Sequence, residues 1–203
     1  MDRITLLQYC KKGIVEAGCD EAGRGCLAGP VVAAAVILPP DFKNDLLKDS
    51  KKLTKEQRFD LRLVIRNNAI AWATEMVSND EIDKINILNA SFLAMNRAIQ
   101  KLKIIPDHLI IDGNRFRPQT GIPYTCIIKG DGRYFSIAAA SVLAKTYRDE
   151  YMEKIHCDYP CYEWNKNKGY GTRKHRQAIA SYGLTKYHRR SFRLINQQMK
   201  IEF

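Results

Sequence analysis

The chain has 203 residues, 45% of them apolar, and a formal net charge of +11 from 33 basic and 22 acidic side chains. That length suits one large domain with a core that needs no disulfide staples. The basic excess is concentrated: Trp164 to Phe203 holds ten Lys/Arg (Lys166, Lys168, Arg173, Lys174, Arg176, Lys186, Arg189, Arg190, Arg193, Lys200) against Glu202 alone, +9 of the total. Such a segment suits a polyanion, because each neutralised phosphate releases condensed counterions. Solvated surface and anionic lipid are the alternatives. The amino terminus lacks an apolar core of signal-peptide length. The longest apolar-rich run, Cys26 to Leu38, contains Gly29 and Pro30 and is too short to span a bilayer. Six cysteines (10, 19, 26, 126, 157, 161) show no paired zinc spacing, and Cys157/Cys161 with His156 makes only a weak metal cluster. They read as reduced, mostly buried thiols of a cytoplasmic protein.

In chain order, Ile14 to Cys19 and Val31 to Leu38 are β-branched and alanine-rich runs bounded by Gly and Pro, and both predict strands. Thr54-Lys-Glu-Gln57 has capping-box spacing and opens a helix through about Arg66. Ala69 to Val77 predicts a third strand, and Ser78-Asn-Asp-Glu81 repeats the capping signal. Helical periodicity runs from Leu88 to Leu102. His108 to Ile111 predicts a buried strand closing on Asp112-Gly113, and Ile122 to Ile128 a fifth. A long helix follows from about Ser136 to Ile155, then a basic, helix-bearing tail after Tyr162. The order of elements predicts an α/β fold with a five-stranded mixed sheet flanked by helices and a helical C-terminal extension, all within one domain, 1–203.

Acids stand where apolar strands stop: Asp20-Glu21 after the first, Asp112 after the fourth, Asp131 beyond the fifth. Converged carboxylates repel, by about 4 kcal/mol for a pair ~4 Å apart at an effective dielectric of 20. They therefore call for a cation, and oxygen donors suit Mg2+ or Mn2+, two of which can serve phosphodiester cleavage. Each acid alone also fits a simple turn. The turn Gly23-Arg-Gly-Cys-Leu-Ala28 formally satisfies a dinucleotide fingerprint, but Gly29-Pro30 and a β-branched run follow it where a helix is required. Its glycines instead let bare backbone approach a ligand, with Arg24 available for a phosphate.

Gly18-Cys-Asp-Glu-Ala-Gly-Arg-Gly-Cys-Leu-Ala-Gly-Pro30 resembles the first signature block of the type 2 ribonucleases H. Asp49-Ser-Lys-Lys-Leu-Thr54, Ile111-Asp-Gly-Asn114, Lys129-Gly-Asp131, Ser136 to Asp149, and Asn167-Lys-Gly-Tyr-Gly-Thr172 with His175 resemble further blocks in the same order. The resemblance covers about Ile14 to Phe192. It implies a ribonuclease H-like fold and a site in which Asp20, Glu21, Asp112 and Asp131 hold two Mg2+ or Mn2+ ions. It also implies that the backbone of Gly23, Arg24 and Gly25 meets the ribose 2′-hydroxyl, that Tyr170 packs on the next sugar at an RNA-to-DNA junction, and that Lys51, Lys145, Arg148 and Arg173 contact phosphates. Lys145 and Arg148 also fit ordinary helix-surface charges, and His175 fits packing or phosphate binding at least as well as proton transfer. The implied substrates are RNA–DNA hybrids and duplex DNA containing ribonucleotides, cut on the 5′ side of the ribonucleotide by a monomer. Asp131 as fourth acid favours the HII over the HIII branch. Other ribonuclease H-fold nucleases, such as a junction resolvase, and a silent hybrid-binding module are the rivals.

Overall fold

The computed structural model describes residues 6–49 and 53–194. Five strands, β1 (Glu16–Ala22), β2 (Val31–Ile37), β3 (Ala71–Val77), β4 (His108–Asp112) and β5 (Tyr124–Ile127), form one sheet in the order β3-β2-β1-β4-β5. β1 pairs antiparallel with β2, and β2 with β3; β4 joins β1 in parallel, and β5 joins β4 in parallel. The predicted mixed sheet and flanking helices are therefore present.

Strand periodicity decides what covers each face. On β2, Val31, Ala33, Ala35 and Ile37 face a core with Ala94, Met95, Ala98 and Ile99 of helix α3 (Ile87–Gln100). Ala34 and Val36 face the other core, with Leu61 and Ile65 of α1 (Lys55–Asn68) and Ala139, Val142 and Leu143 of α4 (Phe135–Asp158). All of β2 is buried, as expected for a strand covered on both faces. α4 lies across β1 and β2 at very close range. A Cβ built on Gly18 would sit 2.3 Å from the Ser136 carbonyl carbon, so only glycine admits this helix start against the central strand.

Both capping boxes form: Thr54 with Gln57 opens α1, and Ser78 with Glu81 opens a short helix α2 (Asn79–Ile85). Asn86, at φ 65°, separates α2 from α3 and caps α3 through its side chain. Several boundaries differ from expectation. β1 extends through Ala22, because Glu21 and Ala22 still pair with Ala33 and Val32 of β2; β5 is trimmed to the four residues that pair with β4. The tail forms α5 (Trp164–Asn167) and α6 (Arg173–Tyr182), packed through a third apolar cluster that includes Leu27, Met152, Trp164 and Ile179.

Candidate active site

Asp20 lies inside β1, two residues beyond Gly18, and is buried at 6% exposure. Its Oδ1 accepts the Glu21 amide at 2.7 Å. Burial is the largest influence on its carboxyl, followed by repulsion from Glu21 and from Asp112; together they hold its pKa well above the carboxylate range, against hydrogen bonds from the Ser141 side chain and the Glu21 backbone. Burial also raises Glu21, whose Oε1 meets Arg24 Nη1 at 3.1 Å; that guanidinium pulls the value back down, while Asp112 pushes it up. Three carboxylates on the adjacent strands β1 and β4 therefore feel one another.

Asp112, the last residue of β4, accepts the Gly130 amide on Oδ1 at 2.7 Å. Gly130 opens the 3-10 turn Gly130–Gly132, which sets Asp131 one peptide from that contact. Among the described residues, no three Asp, Glu, His or Cys side chains form a ready-made cation cage. What the strands supply is a set of hard oxygen donors in which burial and neighbouring carboxylates raise the pKa values of Asp20 and Glu21, the donor chemistry that fits magnesium or manganese.

Beside these acids opens a pocket of about 430 Å³ lined by Glu21, Ala22, Gly23, Arg24, Gly25, Arg58, Ser141, Val142, Lys145 and Tyr170. Most of the residues singled out in the sequence as ligand contacts thus share one concavity. Gly23 is at φ +98°, and a Cβ there would lie 2.0 Å from Arg148 Nε. Gly25 is open, its nearest neighbour to a Cβ being Tyr170 Cε1 at 4.0 Å. Tyr170 is 46% exposed and held by an antiparallel bridge to Cys26. Lys145 reaches the same pocket from α4 and pairs with Asp149 at 2.5 Å. Arg173 is exposed at the start of α6, behind the Thr172 cap. Lys51 lies outside the described residues.

One expectation is overturned, for Arg148, and one open alternative is decided, for His175. Arg148 is 1% exposed and donates to the carbonyls of Pro30 (3.0 Å), Lys168 (2.8 Å) and Ala28 (3.1 Å). It is neither a phosphate contact nor a helix-surface charge, because its guanidinium faces backbone in the interior. His175 is fully buried. Its Nε2 accepts Trp164 Nε1 at 3.0 Å and lies 3.3 Å from His188 Nε2, while Nδ1 lies 2.9 Å from the Tyr170 carbonyl. With Nε2 an acceptor, Nδ1 carries the proton and donates to Tyr170 O. Burial lowers the pKa of His175 and takes His188 down to about 4. His175 is a neutral strut beneath the Gly-Tyr-Gly block.

Sequence reasoning missed Ser141, Arg58 and Arg189. Ser141 lay within a quoted block but carried no separate signal. Arg58 on α1 carried none. Arg189, counted with the basic tail, is fully buried and donates to Gly29 O (2.9 Å), Arg24 O (2.9 Å) and Gly23 O (2.7 Å).

Solved structures share this architecture. The ribonuclease HII of Archaeoglobus fulgidus, described in complex with PCNA, aligns with TM-score 0.75 at 26% identity over 92% of this chain and 98% of its own. Bst-RNase HIII, described in complex with Mn2+, aligns with TM-score 0.71 at 21% identity over 93% and 70%. The fold is thus that of the ribonuclease H class. The family model described as Ribonuclease HII matches residues 17–195. Two curated relatives named Ribonuclease HII come from Bacteroides thetaiotaomicron, 63% identical over 98% of this chain and 100% of the relative, and from Bacteroides fragilis, 64% identical over 94% of each. The chain belongs to the ribonuclease HII family, endoribonucleases of the ribonuclease H class.

Proposed function

We propose that this chain hydrolyses the phosphodiester on the 5′ side of a ribonucleotide, in RNA–DNA hybrids or embedded in duplex DNA, leaving a 3′-hydroxyl and a 5′-phosphate, and so serves ribonucleotide removal from DNA. The observation that carries this reading is the mutual repulsion of Asp20, Glu21 and Asp112 beside a glycine-lined pocket.

Asp20, Glu21, Asp112 and Asp131 would hold magnesium or manganese ions as a two-metal site. When bound, such ions supply positive charge that polarises a phosphoryl oxygen and makes water a stronger nucleophile. The remaining work falls to the chain. The backbone of Gly23, Arg24 and Gly25 meets the 2′-hydroxyl, the group that separates RNA from DNA, and the half-exposed ring of Tyr170 packs on the following sugar. Lys145 and Arg173 face phosphates, and Lys51 joins them by resemblance. The exposed bases of the segment after Tyr162, among them Lys166, Arg173 and Lys174, form the duplex-binding portion of a single domain. No described helix is long and apolar enough to cross a membrane. Only Cys19 and Cys26 of the six cysteines are buried, and Cys10, Cys157 and Cys161 are exposed, against the expectation of mostly buried thiols; free thiols accord with a cytoplasmic enzyme.

The test incubates the protein with Mg2+ or Mn2+ and three substrates: a duplex with one ribonucleotide, an all-DNA duplex and a full hybrid. Metal-dependent cutting 5′ to the ribonucleotide, with the all-DNA duplex intact, is the expected result. Cutting of all-DNA duplex, or tight hybrid binding without turnover, would overturn the reading.

A further inference from the structure

Arg148 and Arg189 are two fully buried guanidinium groups, and Asp83 lies near enough to Arg189 for the two charges to favour each other. Both serve the segment Gly23 to Pro30. Arg148 takes the carbonyls of Ala28 and Pro30. Arg189 takes those of Gly23, Arg24 and Gly29 with Nη2, Nη1 and Nε, and its own amide donates to Leu27 O at 2.8 Å. Burying a charge is costly, so this arrangement persists only where donors are matched to acceptors.

The two Arg189 contacts at Gly23 and Arg24 have a consequence for the other side of the loop. No peptide bond here is cis, and in a planar trans peptide the C=O and N–H point in opposite directions. Turning Gly23 O and Arg24 O inward onto the guanidinium therefore turns the amides of Arg24 and Gly25 outward, to the side where Gly23, Arg24 and Gly25 line the pocket with Tyr170. Glycine at both ends of the tripeptide makes these planes soft, and they need an external clamp.

We propose that Arg189 is a positioning residue for ribose recognition: it clamps two peptide planes from behind so that their amides present a fixed donor pair to a 2′-hydroxyl oxygen. This deepens the proposed function and rests on the reading of Gly23 to Gly25 as the ribose-sensing edge. The planar fork is what the task requires. A lysine could keep the charge but could not reach three diverging carbonyls from one nitrogen. The clamp is itself tethered at the surface, where Asp83 of α2 accepts the Arg190 amide (2.8 Å), the Ser191 amide (3.0 Å) and Ser191 Oγ (2.5 Å). Residues next to Arg189 are thereby fixed to α2.

The test measures equilibrium binding in Mg2+, in a cleavage-silenced Asp112→Asn parent, to two duplexes differing only in one ribonucleotide. The parent should prefer the ribonucleotide duplex. Adding Arg189→Lys should reduce that preference by about tenfold while affinity for the all-DNA duplex, set by phosphate contacts, stays within about threefold. A purely structural role would lower the folded fraction and weaken both duplexes alike. Circular dichroism checks folding, and should Arg189→Lys fail to fold, Asp83→Ala, which removes the tether beside Arg189 and a favourable charge near its guanidinium, should lower the preference about twofold to threefold. Preference unchanged in a folded Arg189→Lys protein, or in Asp83→Ala where that variant decides, would overturn the clamp. A parent with no preference would instead overturn the reading of the pocket, and the clamp with it.

Discussion

The carboxyl groups of β1 and β4 and the arginines behind the glycine loop both set ionisable groups of one kind close together, yet the protein treats the two sets oppositely. Arg148 and Arg189 each give three guanidinium donors to backbone carbonyls, so the protein satisfies them itself. Asp20 accepts hydrogen bonds from the Ser141 side chain and the Glu21 amide, but burial first, and then Glu21 and Asp112, still press its pKa upward. A buried charge that the protein satisfies marks scaffold; acids whose neighbours raise their pKa mark a candidate ligand site. The contrast separates scaffold from site without reference to any relative.

Replacement of Asp112 by Asn should break the acidic side most severely. Cleavage of a ribonucleotide-containing duplex should fall by about 10³-fold, while urea denaturation without metal shows stability maintained or increased, because one repelling charge is gone. Turnover at the wild-type level would remove Asp112 from the site. On the arginine side, Arg148→Met should act through stability, costing about 3 kcal/mol by urea denaturation as buried carbonyls lose their donors. A neutral result there would mean that those carbonyls find other partners.

The pH dependence sharpens the comparison. A raised Asp20 pKa means that the folded state holds a proton the unfolded chain has released. The contribution of Asp20 is present below the ordinary value of 3.8 and is lost as pH rises through the raised one. His188, depressed from 6.5 to about 4, works the other way: its contribution is present above 6.5 and lost as pH falls through about 4. Thermal melts of metal-free protein should show Asp20→Asn gaining stability over wild type as pH rises, while retaining the decline on the acid side. A difference between the two proteins that does not vary with pH would contradict the raised carboxyl. The smallest effect belongs to Ser141→Ala, which removes one hydrogen bond from Asp20, about 1 kcal/mol, and should push that carboxyl's titration higher still.

Much of the acidic side was legible in the sequence. Carboxylates interrupting or ending apolar runs are a local signal, as are the capping boxes at Thr54 and Ser78, because the partners lie within three residues. The extension of β1 through Ala22 was not legible, since it depends on pairing with β2 across the glycine loop. The arginine side was illegible for the same physical reason. The acceptors of Arg189 at Gly23, Arg24 and Gly29 lie 160 or more residues away, and nothing in its neighbourhood distinguishes it from the exposed Arg190. Net charge located the basic segment but could not divide it into exposed bases and interior struts such as Arg189.

The central claim, that Asp20, Glu21 and Asp112 are held in repulsion for a cation, is tested most directly by melting the protein against Mn2+ at neutral pH, with Asp112→Asn alongside. Wild type should gain thermal stability with rising Mn2+ and saturate, and the variant should gain much less. Equal stabilisation of both proteins, or none in wild type, would contradict it.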